Sequence, residues 1–379
     1  MSARRSTRRN RTLTRRQLLA GATGAGLSVI AAGRIGDFAF GLAQAAPGTG
    51  PVKMTLFSFP GLSLSTVAKE VAKSYMASHP GITLDVLEGT AFEVYPKMLS
   101  ARRLTPNQPI VHFGYMNTAF TFQGDKDEMW DALDPANIPN MKGIADGYLR
   151  PGNRGVGHSS SPVGLMYSTR HVTQPPTSWA DLWNPRFKGK VTAIGRYNWY
   201  LNGLVMAARL NGGNERNIEA GFKLWSERAD QYVAFANSNP EQLDMLVRGD
   251  AHIAAQFGGN VLTWKREGAP IEFVIPREGM IAFPLFFVVV KGLTPEQKRI
   301  AEDVINVMLS ERWLARWATV TLSVPATKKS IVPPSLRTLP MFDPNESARA
   351  IQLDWATIAS SDAAWRERWD KEVVAKIPR

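Results

Sequence analysis

The 379-residue chain contains no cysteine, which excludes disulfides, thiolate metal sites and cysteine nucleophiles. Histidine is scarce: His79, His112, His158, His171 and His252 stand apart from one another. No His-Glu-x-x-His or Gly-x-Ser-x-Gly pattern occurs, so the usual sequence marks of zinc peptidases and α/β-hydrolases are missing. No apolar run reaches the ~18 residues a membrane-spanning helix needs. The sequence offers no catalytic residue, metal site or cofactor motif.

What is present is 44% apolar and 21% charged, the composition of a globular chain long enough for two domains. The formal charge is +12, but it is unevenly placed. Residues 1–45 hold eight Arg and one Asp, and removing them leaves 37 basic and 32 acidic residues, a formal +5. No basic run interleaved with aromatics remains, so nucleic acid is not an expected partner.

The same 45 residues read as an export leader. Thr14-Arg15-Arg16-Gln17-Leu18-Leu19 has the twin-arginine form, Leu18 to Gly33 is Gly/Ala-rich and apolar, and Ala43-Gln44-Ala45 has the small residues of a cleavage site. A soluble periplasmic protein is expected, starting near Ala46.

The rest alternates strands and helices. Residues 51–57 and 82–87 show strand patterning on either side of a helix with Val67, Val71 and Tyr75 at steps of four, a βαβ unit that argues a parallel sheet. A third strand over 110–115 follows. Ligands in open α/β sheets lie beyond the carboxyl ends of the strands, often at the next helix N-terminus, which nominates Ser58, Phe59, Thr90, Tyr115 and Asn117. Residues 131–155 read as a surface connection. Later, Val191 to Ile194 is a strand that breaks at Gly195 before a helix running to Leu210, and Asn239-Pro240-Glu241 reads as a helix start. Phe286 to Val290 has the continuous apolar form of a strand covered on both faces, and Thr294-Pro295-Glu296-Gln297 is a capping box. Trp355, Trp365 and Trp369 are expected to pack a C-terminal helix on the body.

Two stretches are more specific. Residues 162–191 carry Gly164, Tyr167, Thr169, then Pro175, Pro176, Ser178, Trp179, Asp181, Leu182, Trp183, Asn184, Pro185, then Lys188, Gly189, Lys190 and Val191. Residues 267–279 read Glu-Gly-Ala-Pro, a hydrophobic run, then Pro276, Glu278 and Gly279. Both patterns resemble those of extracellular solute-binding proteins of ABC importers, especially the spermidine/putrescine and iron type, with Ser168 departing where that family has Asn.

The resemblance implies an α/β, two-lobed periplasmic-binding-protein-like II fold with mixed, mostly parallel sheets and the ligand cleft between the lobes. Lobe 1 is expected at 52–160 plus 282–325 and lobe 2 at 161–281, with 326–379 a helical segment packing on them. It implies a monomer that captures a small solute and delivers it to an ABC permease of the inner membrane, and it is not an enzyme. Family position adds Arg196, Tyr197, Trp199, Gly259, Asn260 and Phe283 to the ligand candidates. Polyamine-binding relatives place acids where this chain has Arg196 and, after Phe283, Pro284-Leu285. Arg at a strand end suits a carboxylate or phosphate, so an anionic or zwitterionic ligand is expected. Polyamine or ferric iron is the alternative, although iron-binding relatives use adjacent tyrosines and none of the eight here adjoins another. A secreted hydrolase built on His158 and Ser159 to Ser161 is the reading from another class.

Overall fold

The computed structural model describes residues 51–60, 64–195, 198–329 and 331–377. The chain begins with β1 (Val52–Ser58), α1 (Leu64–Ser78), β2 (Ile82–Glu88), α2 (Ala91–Leu104), β3 (Phe113–Asn117) and α3 (Thr118–Lys126). After short turns come β4 (Val156–Ser160), β5 (Val163–Ser168) and β6 (Val191–Ile194). Next are α4 (Leu204–Leu210), α5 (Glu219–Glu227), β7 (Tyr232–Ala236), α6 (Asn239–Arg248), β8 (Ile253–Phe257), α7 (Gly258–Arg266) and β9 (Ile271–Val274). The return comprises β10 (Pro284–Val289), α8 (Pro295–Met308), α9 (Glu311–Thr321), β11 (Val324–Pro325), α10 (Pro344–Ala348) and α11 (Trp355–Glu372).

These strands form two sheets, ordered β11-β4-β10-β3-β1-β2 and β7-β6-β8-β5-β9. The chain leaves the first sheet after Ser160 and re-enters it at Pro284, so each sheet with its helices is one lobe. The βαβ spacing gives the parallel ladders it predicts, β1 with β2 and β3, and β6 with β7 and β8. The other five named ladders are antiparallel: β10 and β5 enter their sheets reversed from the opposite lobe, which accounts for four, and β11 runs back against β4. The sheets are therefore mixed rather than mostly parallel.

Local chemistry explains several boundaries. Thr294 caps α8 in a reciprocal box with Gln297, and α8 buries Ile300, Val304 and Met308 as its spacing predicts. The cap of α6 sits one residue earlier than Asn239: it is Ser238, its hydroxyl accepting from the Glu241 N–H. Residues 131–155 are less superficial than expected, since Ile138 and Ile144 are fully buried.

The two patterned stretches meet. Trp179 Nε1 donates to the Gly279 carbonyl at 2.8 Å, while Glu278 accepts from the Ser178 hydroxyl at 2.5 Å and the Trp179 N–H at 3.1 Å. Burial raises the Glu278 pKa, but these donors outweigh it and hold the carboxyl below its ordinary value. Gly279 has φ +106°, and a Cβ there would lie 2.5 Å from the Arg349 carbonyl. The motif is thus a brace between the entry to lobe 2 and the exit from it.

Candidate functional site at the lobe crossing

Three extended segments run side by side where the lobes join. Val163 and Ile281 exchange both backbone hydrogen bonds at 2.9 Å, Ser161 N–H donates to the Phe283 carbonyl at 2.9 Å, and Phe283 N–H donates to Ser160 Oγ at 3.1 Å. On the other side of the 281 segment, Ala282 N–H donates to the Ile351 carbonyl and Ile351 N–H to that of Met280, at 2.9 and 2.8 Å. Two passes between the sheets and a returning C-terminal segment form this joint.

The register fixes which strand ends face it. β4 lies antiparallel to β10, as does β3, so β1 to β4 all end on one edge, at Ser58, Glu88, Asn117 and Ser160. β5 starts three residues past Ser160 and pairs its first residue, Val163, with Phe257, the last of β8. β6 and β7 run parallel to β8. The carboxyl ends of the parallel strands in both sheets therefore converge on the crossing, the edge at which such sheets bind ligands.

The first-lobe candidates divide by face. Ser58 is fully buried and its hydroxyl donates to the Phe59 carbonyl at 3.3 Å. Phe59 is partly exposed and meets Phe57 edge-on. Thr90 Oγ1 donates to Glu93 at 2.8 Å and accepts from its N–H, and Asn117 Oδ1 accepts from the Phe120 N–H at 3.0 Å, so both side chains serve as helix caps. Tyr115 points into the core: it is fully buried among His158, Phe287 and Trp317, and burial pushes its hydroxyl pKa well up. The strand is buried on both faces, so polarity at the tip of Tyr115 did not reveal its side.

In the second lobe, Trp199 is buried and donates its Nε1 to Asp362 Oδ1 of α11 at 2.9 Å. Gly259 packs under α9, and Asn260 Nδ2 donates to Gln256 Oε1 at 3.2 Å. Phe283 sits in the joint within an aromatic group the sequence did not disclose, with Tyr200 at 4.8 Å, Phe257 at 5.3 Å and Trp355 at 5.3 Å between ring centres. Burial raises the Tyr200 pKa. Trp355 comes from about seventy residues further along the chain, which is why no local pattern could nominate it. Arg196 and Tyr197 lie outside the described residues, just past the end of β6.

The imagined hydrolase centre is not assembled. His158 faces inward, stacked 4.3 Å from Phe287, and neither its Nε2 nor Ser159 Oγ has a hydrogen-bond partner. Among the described residues no group of three or more His, Cys, Asp or Glu is placed to hold a metal ion, and no helix is long and apolar enough to cross a membrane. A hollow of about 830 Å³ lined by Val52, Tyr75, His79 and Asp303 lies at the opposite, amino-terminal edge of the first sheet, away from the crossing.

Known proteins share this arrangement. The crystal structure of an ABC transporter from Clostridium perfringens superposes with a TM-score of 0.70 at 20% identity, over 84% of this chain and 99% of that one. Spermidine/putrescine-binding periplasmic protein 1 of Haemophilus influenzae is 24% identical over 216 residues, 53% of this chain and 57% of that protein. The gamma-aminobutyric acid-binding protein of Pseudomonas aeruginosa is 25% identical over 190 residues, 48% of this chain and 52% of that protein. The chain thus matches little more than half the length of either relative. The family model for bacterial extracellular solute-binding proteins matches residues 114–347, from the start of β3 through both crossings into α10. With that span matched and two sheets joined where their strand ends converge, the chain belongs to the bacterial extracellular solute-binding proteins.

Proposed function

We propose that this protein is the substrate-binding component of an ABC importer, exported by its twin-arginine leader to the periplasm, where it captures a small solute and presents it to a membrane permease. The observation that carries this reading is the convergence of strand carboxyl ends from both sheets on a three-segment joint. A solute held by both edges favours the closed arrangement of the lobes by its differential affinity for it. Relatives named for spermidine/putrescine and for gamma-aminobutyric acid set the two chemistries to choose between.

The ligand of this chain is anionic or zwitterionic. Arg196 follows Ile194, the last residue of β6, by two positions in the sequence, and an Arg after a strand end suits a carboxylate or phosphate partner. With it, Tyr197, Phe59, Asn260 and Phe283 are the ligand contacts of choice. Thermal-shift screening against carboxylates, amino acids, phosphate esters, ferric ion, putrescine and spermidine tests the reading. Stabilisation by an anionic or zwitterionic compound is expected, and Arg196→Ala removes it. Stabilisation by the polyamines alone would overturn the ligand assignment, and turnover of a chromogenic ester the transport reading.

A further inference from the structure

Gln256 is the last residue but one of β8 and is fully buried, yet it has no apolar role. Its Oε1 accepts from its neighbour's backbone, the Phe257 N–H, at 2.7 Å. A backbone N–H can only donate, so this bond fixes which end of the Gln256 amide is oxygen. The other end, Nε2, then meets Gln242 Oε1 at 2.7 Å and Asn239 Oδ1 at 3.2 Å, both on α6. The same Oε1 also receives Asn260 Nδ2 of α7 at 3.2 Å. One buried amide thereby ties together the first turns of α6 and α7, the two helices that start at the converging edge of lobe 2.

The consequence falls on Asn260. An amide can normally flip, offering a ligand either its donor or its acceptor. Here the flip is prohibited, because turning Asn260 over would set its oxygen against Gln256 Oε1. Its Nδ2 is turned inward, and its Oδ1, on a partly exposed residue, accepts no hydrogen bond in the described structure.

We propose that Gln256 is a positioning residue for ligand selection: it locks Asn260 so that lobe 2 offers the solute a carbonyl oxygen. The solute must then bring an N–H or O–H donor to this point. The inference rests on the transport reading and deepens it, since a free oxygen disfavours a second anionic group and selects a carboxylate that also carries a donor, either an ammonium (a zwitterion) or a hydroxyl (a hydroxy acid). An amide network that merely filled the core would leave the ligand's donor without influence.

The test compares γ-aminobutyrate with butyrate, the same carboxylate without the donor, by calorimetric titration of the protein. The wild type prefers the amine-bearing probe. Gln256→Met removes the relay and Asn260→Leu the acceptor, and in each the preference shrinks by about tenfold, the scale of a hydrogen bond to a charged group. Equal weakening of both probes in Gln256→Met and Asn260→Leu, or a wild type without preference, overturns the proposal. A ligand-free check uses the Asn260 side-chain NH₂ signals in a ¹⁵N spectrum: slow exchange with water is expected in the wild type and fast exchange in Gln256→Met. Fast exchange in the wild type overturns the relay even if solutes bind. If exchange is slow and no screened solute binds, the transport reading fails and the selectivity role falls with it.

Discussion

Gly259, at the start of α7 in lobe 2, lies directly against the carbonyl of Thr321, the last residue of α9 in lobe 1: a Cβ built there would stand 2.6 Å from that oxygen. Beside the contact, Leu322 adopts a left-handed φ of +54°, and Ser323 Oγ lies 3.0 Å from Ser161 Oγ of the joint. This is a bearing surface between the lobes, and glycine allows it. Gly259→Ala must push back a backbone oxygen rather than a flexible side chain, a strain of about 1–3 kcal/mol. A lower urea midpoint and a larger radius of gyration by X-ray scattering are expected, with unchanged far-ultraviolet circular dichroism. An unaltered midpoint and radius would show that the contact is not shared between lobes in solution.

Acid should weaken the fold through two buried histidines. Burial pushes His158 down to about 3 and His112 to about 4. His112 also accepts the Thr55 N–H at its Nδ1, at 3.0 Å, which requires the unprotonated ring. Above the ordinary value near 6.5 both folded and unfolded chains are neutral here, and the stability is fully present. As pH falls below it the unfolded chain takes up protons that the folded chain refuses, and stability drops by up to about 1.4 kcal/mol per pH unit for each histidine. The loss runs to about pH 4 for His112 and about pH 3 for His158. His158→Phe keeps the ring between Phe287 and Trp317 and removes its proton. Urea melts of this variant between pH 6.5 and 4 should show a shallower decline than the wild type, and parallel declines would remove His158 from the account.

What the sequence discloses is what local chemistry decides. The Thr294–Gln297 box, the apolar stripe of α8 and the strand of β10 follow from residues a few positions apart. The Trp179 and Gly279 patterns each announce themselves, but their mutual bond spans a hundred positions and needs the fold. For the site, strand ends were legible as places and not as side-chain directions. Tyr115 alternates correctly but faces the inner core, because both faces of β3 are buried. Gln256 escaped notice altogether, since a glutamine among Ala254, Ala255 and Phe257 has no pattern of its own, and its partners come from two different helices.

Thr90 and Asn117 separate capping from ligand contact. Thr90 Oγ1 both donates to and accepts from Glu93, and the backbone N–H of Thr90 reaches Glu93 Oε2 at 3.1 Å. The backbone N–H of Thr90 first, then its hydroxyl, with the charge of Lys97 adding to them, hold the Glu93 pKa below the ordinary range. Thr90→Ala should destabilise the protein by about 1 kcal/mol, and Thr90→Ser should restore most of that. The solute dissociation constant should change less than twofold in either variant. A larger change in affinity than in stability would return Thr90 to the ligand contacts.

The C-terminal helix is the remaining load on the joint, because α11 touches both lobes. Lys126 of α3 donates to the Ala359 carbonyl at 3.0 Å, while Trp199 of lobe 2 donates to Asp362 Oδ1 and packs its ring against Trp365 and Trp369. Asp362 also pairs with Arg366 one turn on, an exposed contact worth at most about 1 kcal/mol. Asp362→Asn keeps an acceptor for the buried indole and should cost no more than that pair. Asp362→Leu deprives the indole of this acceptor and should cost about 1–3 kcal/mol. Urea unfolding of the two variants decides it: equal losses would mean that the ion pair with Arg366, and not the bond to Trp199, fastens α11 to lobe 2.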